Sequence, residues 1–161
     1  MSYQSFEQVL QKCHTEEKEF WQVILEDDMA ERNVSEEDSM EHMRATWDAM
    51  LLAAATYEGN LNSSSGLVGG DGRRMEEYIH SAGIPSLCGE YVDTCIAGAL
   101  QMGESNACMK RIVAAPTAGA CGVLPAVLVP YFQKRCKDTD KILKAMYVAA
   151  GIGQIIAARS S

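Results

Sequence analysis

Within six residues, Asn106, Lys110 and Arg111 offer one amide and two cations, and a hydroxyl follows at Thr117 among small neighbours. That set suits a carboxylate, because a guanidinium can hold one with two parallel hydrogen bonds while an ammonium adds charge. The surrounding run from Glu104 to Pro125, ESNACMKRIVAAPTAGACGVLP, also places Gly119 and Gly122 beside Pro116 and Pro125. So many backbone-special residues let another group come close to the main chain. Thr117 reads as a helix start, where free N–H groups and aligned peptide dipoles favour an anion. A tight crossing of two helices would use the same small residues, and spacing alone leaves both readings open. PTAGACG is not a P-loop, since no Lys-Ser/Thr pair follows its glycines.

A second stretch, Leu61 to Gly72, LNSSSGLVGGDG, sets three serines and four glycines around Asp71. Many hydrogen-bonding groups with little bulk could cradle a small polar ligand, and the same composition would serve as a flexible connector. It is not a dinucleotide fingerprint, because no strand-like run precedes it and no βαβ unit follows.

Both stretches carry a resemblance. NACMKRIVAAPTAGACGVLPAVL, from Asn106, and SGLVGGDGRRM, Ser65 to Met75, closely resemble the two glycine-rich signatures of the alpha chain of bacterial iron–sulfur-dependent L-serine dehydratase, also called L-serine ammonia-lyase. They stand in the family's order and at a plausible separation, and the similarity runs from about Ser35 onward. The resemblance implies removal of water from L-serine to give aminoacrylate, which passes through the imine to pyruvate and ammonia. It implies a [4Fe–4S] cluster with three cysteine-bound irons and one open iron that acts as a Lewis acid on the β-oxygen while a base takes the α-proton.

Carried over residue by residue, the substrate-binding positions are Ser65, Gly66, Gly69, Gly70 and Asp71 in one loop. In the other they are Asn106, Lys110, Arg111, Pro116, Thr117 and Gly119. Thr117, Asn106 and Arg111 are expected nearest the substrate carboxylate or the cluster edge; the α-proton base is not identified. Family alpha chains continue past the position of Ser161 into the segment that holds the cluster-ligating cysteines. Residues 1–161 are therefore expected to be the N-terminal portion of a single helical catalytic domain, truncated before that segment, without metal ligands and inactive alone. A beta chain or beta domain is the expected partner, and a homo-oligomer is compatible with the sequence. Two alternatives stand beside this reading: a related iron–sulfur lyase acting on L-cysteine or L-threonine, and a non-catalytic helical interaction module.

Elements that could position these residues follow from periodicity. Ser5 with Gln8 forms a capping-box pattern, and Phe6, Val9, Leu10, Cys13, Phe20, Trp21, Ile24 and Leu25 predict one long amphipathic helix over 6 to about 29. Ser35, followed by Glu36, Glu37 and Asp38, opens a second helix, with Gly59 as its cap. Further helices are expected from Arg73 to Gly83, from Pro85 to Gly103, from Val123 to Cys136 with a kink at Pro130, and from Asp138 or Thr139 onward. In the last, Ile142, Leu143, Met146, Ala149, Ala150, Ile152 and Ile156 are expected to face inward. Arg111 to Ala115 is the one short strand candidate. The fold class is all-α: an irregular bundle of six or seven helices with two glycine-rich loops converging at one end.

Composition narrows the function classes. At 161 residues, 47% hydrophobic and 22% charged, the chain has the profile of a soluble globular protein with one real core. Residues 1–60 carry 4 basic and 14 acidic side chains, and the remaining residues make up the rest of the net −8 with a slight basic excess. An acidic half without a cationic face argues against nucleic acid as a partner. No apolar signal-peptide core follows the N-terminus. The uncharged run Ile112–Gln133 has the length of a membrane span, but its three prolines and two glycines favour a buried protein helix over a membrane segment. Six cysteines form no CxxC or zinc pattern, which points to reduced thiols and a cytoplasmic location.

Overall fold

The computed structural model describes residues 3–81, 86–115 and 117–159. Among them are seven α-helices and no strand: α1 (Phe6–Glu16), α2 (Phe20–Arg32), α3 (Glu36–Ala55), α4 (Asp71–His80), α5 (Glu90–Ala107), α6 (Val123–Tyr131) and α7 (Thr139–Arg159). A 3-10 turn, Ala118–Ala120, precedes α6, and a π-helical segment, Phe132–Cys136, follows it. The all-α expectation holds. Arg111–Ala115, the strand candidate, is irregular backbone.

By its contacts the chain forms two compact units, residues 1–45 with 138–161, and residues 46–137; α3 contributes its first half to one and its second half to the other.

In the first unit, the helix expected over 6 to 29 is two helices. Glu17 takes left-handed geometry (φ 54°) and its N–H closes α1 on the Cys13 carbonyl. Gln22 Oε1 then accepts from the Glu19 N–H at 2.8 Å to start α2. Lys18, in the turn, lies 2.7 Å from Glu26 and also pairs with Glu16, and hydrogen bonds to Glu16 and then Glu26 push its ammonium up to about 12. The apolar faces of α1, α2 and α7 bury Val9, Val23, Ile24, Leu25, Tyr147 and Ile155, with Phe20, Trp21 and Met40 packed around them. At Gly151 the α7 backbone passes so close to α2 that a Cβ would come within 2.6 Å of the Ile24 side chain. Ile152 and Ile156, expected inside, are exposed; Tyr147, Gly151 and Ile155 take the inner face instead. Ser39 Oγ donates to Asp28 Oδ2 at 2.6 Å, so the Tyr147 hydroxyl, 2.7 Å away, donates to Ser39.

The second unit is built on α5. Its core holds Trp47, Met50, Ala53, Ala97, Met102, Cys121, Ala126 and Val129. Trp47 meets Phe132 edge-on, with ring centroids 5.6 Å apart. Small residues set the spacing of α5 and α6: a Cβ on Gly122 would lie 2.9 Å from the Ala99 carbonyl oxygen. α5 runs through Gly103, where the sequence suggested a stop, and ends at Ala107. Gly103 has nothing within 4 Å, and the chain turns two residues past the helix at Met109 (φ 59°). Pro130 lies inside α6, and the helix widens into the π segment just beyond it. Gly83 and Pro85, expected as a stop and a start, lie outside the described residues; α5 begins at Glu90 behind Gly89.

Candidate functional site

The last turn of α5 is where the two glycine-rich stretches attach. Glu104, 3% exposed, directs its carboxylate at the start of α4. Oε1 accepts from the Asp71 N–H at 2.5 Å and from the Gly72 N–H at 3.1 Å, while Oε2 accepts from the Tyr57 hydroxyl at 2.5 Å. Burial, and then the bond to Glu104, raise the Tyr57 hydroxyl pKa well above its ordinary value. Gly70, at the N-cap of α4 with φ 82°, has no side chain to cap the helix itself. Gly72 is the point of closest approach: a Cβ there would meet Gln101 Cγ and the Tyr57 hydroxyl, both at 2.8 Å.

Two residues along the same helix, Asn106 Nδ2 donates to the Ala118 carbonyl at 3.0 Å and so holds the second loop. Thr117 is the N-cap of the 3-10 turn, its Oγ1 accepting from the Ala120 N–H at 3.2 Å. Gly119 is exposed, with only Thr117 Oγ1 near a hypothetical Cβ, at 3.9 Å. Cys121, behind the turn, is buried, its Sγ 3.8 Å from the Met102 carbonyl, and burial pushes its thiol up.

Lys110 and Arg111 line a cavity of about 220 Å³ together with Leu52, Ala53, Thr56, Glu58 and buried Ser105. The Lys110 ammonium is held by Glu58 at 3.2 Å. Arg111 is exposed and, among the described residues, makes no ion pair or hydrogen bond. Among the described residues, a guanidinium without a partner lining a cavity with the hydroxyl-bearing Thr56 and Ser105 and the apolar Leu52 and Ala53 can take a small carboxylate-bearing molecule.

The other matched positions lie in the loop itself. The Ser65 hydroxyl sits 3.1 Å from that of Ser63, at an exposed bend where Gly66 has φ 71°. Gly69 is confined: a Cβ there would be 2.3 Å from the Leu61 carbonyl oxygen. The Asp71 carboxylate faces Arg74 on the next turn. Pro116 lies outside the described residues. Thus Asp71 and Gly72 are tied to the end of α5 through Glu104, Asn106 ties Ala118 to it, and Lys110 and Arg111 share a cavity with Ser105. No bond joins Ser65 or Gly66 to the second loop among the described residues. Glu104, Tyr57, Glu58 and Ser105 were not among the positions expected from sequence. A buried acid needing several donors shows in three dimensions only, and in sequence Glu104 looks like any helix glutamate.

The model for the family described as "Serine dehydratase alpha chain" matches residues 15–161. The chain belongs to that family. The alpha chain of L-serine dehydratase from Peptoniphilus asaccharolyticus is 30% identical over 92% of this chain and 51% of its own length. A probable L-serine dehydratase alpha chain from Bacillus subtilis is 28% identical over 86% and 46%. A shorter stretch, 33% of the chain, is 43% identical to 12% of the Escherichia coli L-serine dehydratase TdcG. This serine dehydratase alpha-chain family member thus spans about half the length of the alpha chains it matches. No solved structure matches it.

Does the family member carry residues fit for an iron–sulfur cluster? Among the described residues, no three His, Cys, Asp or Glu side chains come together as metal ligands. Cys13 lies in the first unit and the other five cysteines are spread over the second, Cys121 in its core and Cys88 exposed. These thiols do not fit the three-cysteine ligation of a [4Fe–4S] cluster.

Proposed function

We propose that this chain supplies the substrate-carboxylate site of an L-serine ammonia-lyase, an enzyme that dehydrates L-serine and releases pyruvate and ammonia. The observation that carries the reading is Arg111, a guanidinium unpaired among the described residues, at the cavity shared with Lys110, Glu58 and Ser105. Family membership supports it, as do relatives that are themselves named L-serine dehydratases.

In this reading Arg111 grips the carboxylate, Thr56 and Ser105 offer hydroxyls, and Glu58, partly neutralised by Lys110, faces the substrate ammonium. Leu52 and Ala53 limit the size of the side chain admitted. Thr117, Asn106 and Gly119 belong to the second loop, which borders the reacting end of the substrate, and Ser65, Gly66, Gly69, Gly70 and Asp71 form the first. The cofactor of the reading is a [4Fe–4S] cluster held by thiolates other than the described cysteines. A beta chain or beta domain is the partner, and the cytoplasm, which keeps thiols reduced, is the location.

The test is steady-state kinetics of the complete enzyme on L-serine. Losing a charge-assisted hydrogen bond typically costs about 1.5–3 kcal/mol, so Arg111→Ala should raise KM by roughly 10- to 150-fold, with Arg111→Lys intermediate. Unchanged kcat/KM in both Arg111→Ala and Thr117→Val removes the proposal. Rates on L-cysteine and L-threonine beside L-serine decide the substrate.

One observation favours a second reading, a helical interaction module. Val92, Ile96 and Leu100 on α5, and Val123, Val127 and Tyr131 on α6, are 37–58% exposed, each set spaced by four residues. Two packed helices with such ridges suit a protein partner. Concentration-dependent association without amino-acid binding would select this reading.

A further inference from the structure

We infer that Glu104 is the positioning residue of this site, fixing the first glycine-rich loop to the last turn of α5, from which Asn106 fixes the second. The kinetic part of the inference rests on the function proposed above; the structural part does not.

The first N–H groups of a helix have no partner within it and need an acceptor. A Ser, Asp or Asn at the N-cap would ordinarily supply one from the same stretch. Here the N-cap is Gly70, which cannot, and the acceptor comes from Glu104, on another helix. A carboxylate removed from water persists only when its lone pairs are filled. Two amides fill one oxygen and the Tyr57 hydroxyl fills the other, and the positive end of the α4 dipole faces the same charge. A helix that only needed capping would not require a buried acid from a distant element. What the acid achieves is a fixed distance between the Gly69–Gly70–Asp71 bend and α5.

Asn106 extends the same logic. Residues two apart on a helix face different sides, so Glu104 and Asn106 reach in different directions from one turn, Glu104 to α4 and Asn106 to the Ala118 carbonyl. Ser105 between them is buried and lines the Arg111 cavity. Three consecutive side chains therefore hold the first loop, the cavity wall and the second loop.

The experiment has two arms, run on Glu104→Ala, Glu104→Gln and Tyr57→Phe, with Glu77→Ala on the outer face of α4 as control. Amide hydrogen exchange is read on the chain itself. Glu104→Ala should speed exchange at Asp71 and Gly72 by at least about tenfold, Tyr57→Phe by less, and Glu104→Gln, which keeps an acceptor, by least. In the complete enzyme, Glu104→Ala should raise KM for L-serine at least about tenfold, with Glu104→Gln restoring most of it. A residue that served stability alone would lower the amount of active enzyme and leave KM where it was. Unchanged exchange at Asp71 and Gly72 in Glu104→Ala overturns the tie. Faster exchange with an unchanged KM overturns its role in positioning the site. Should Glu104→Ala not fold, Tyr57→Phe carries the same comparison in both arms. A wild-type enzyme inert toward L-serine sinks the proposed function, and the exchange arm then decides the tie by itself.

Discussion

Replacing Gly72 with alanine probes the contact between the start of α4 and the Glu104–Tyr57 pair. In an ordinary helix the change would stabilise by about 0.5–1 kcal/mol, because glycine loses more chain entropy on folding. At this position the new methyl would lie 2.8 Å from the Tyr57 hydroxyl, 2.8 Å from Gln101 Cγ and 3.2 Å from Gln101 Cα. The Gln101 side chain can swing aside; its Cα is backbone and cannot. Overpacking of this kind costs about 1–3 kcal/mol, and displacing the Tyr57 hydroxyl from a buried carboxylate costs about 1.5–3 kcal/mol more. Set against the helix gain, Gly72→Ala should destabilise by about 1.5–5.5 kcal/mol. Urea unfolding followed through Trp47, which is buried in the same unit, would read this in a Trp21→Phe background. Tyr57→Phe removes one partner in the clash and the hydrogen bond with it. In that background Gly72→Ala should therefore cost at least about 1 kcal/mol less. A neutral or stabilising Gly72→Ala, or costs that simply add in the double variant, would show that α4 does not press on Tyr57 and that the Glu104 tie is loose.

Two more outcomes follow from the first unit. The Ser35 hydroxyl and backbone N–H hold the Asp38 carboxyl below its ordinary 3.8, so this cap supports α3 above that pH and its support fades as pH falls below it. In Ser35→Ala, NMR titration should show Asp38 returning toward its ordinary value, and an unmoved titration would contradict the cap. Gly151→Ala should destabilise the first unit by about 1–3 kcal/mol through contact with Ile24, and Ile24→Val, which removes the methyl that is struck, should recover part of it; thermal melts of the single and double variants decide.

The helices were legible wherever their ends are marked by side chains near in sequence. Ser35 with Asp38 opens α3, and Asp138 accepts from the Lys141 N–H to open α7, both in the pattern the sequence shows. The break between α1 and α2 is marked by Glu19 and Gln22 as well, but an unbroken apolar stripe hid that mark. Cys13 and Phe20 are seven residues apart, close to two helical turns at 3.6 residues each, so the apolar stripe stays in phase across the turn at Glu17 and Lys18. Gly103 misled in the opposite sense: a glycine with open space on every side does not stop a helix unless the chain also turns there. For the site, the side-chain chemistry of Arg111, Lys110, Asn106 and Thr117 could be read directly. Glu104 could not, because its role depends on an α4 start more than 30 residues upstream, and hydrophobic periodicity says nothing about which acid will be buried.

Pro130 and the π segment behind it concern the register of the chain. A π turn accommodates about one residue more than an α turn, so by its end at Cys136 this segment is rotated by roughly 100° from where an unbroken α-helix would have carried it. Lys134, inside this segment, reaches Glu90 at 2.8 Å and Thr94 at 3.2 Å. Deleting one residue between Phe132 and Cys136 would keep the composition nearly intact yet swing the ammonium away from both partners. In lining up homologous chains, a one-residue gap at this point marks a change of facing rather than a shortened helix.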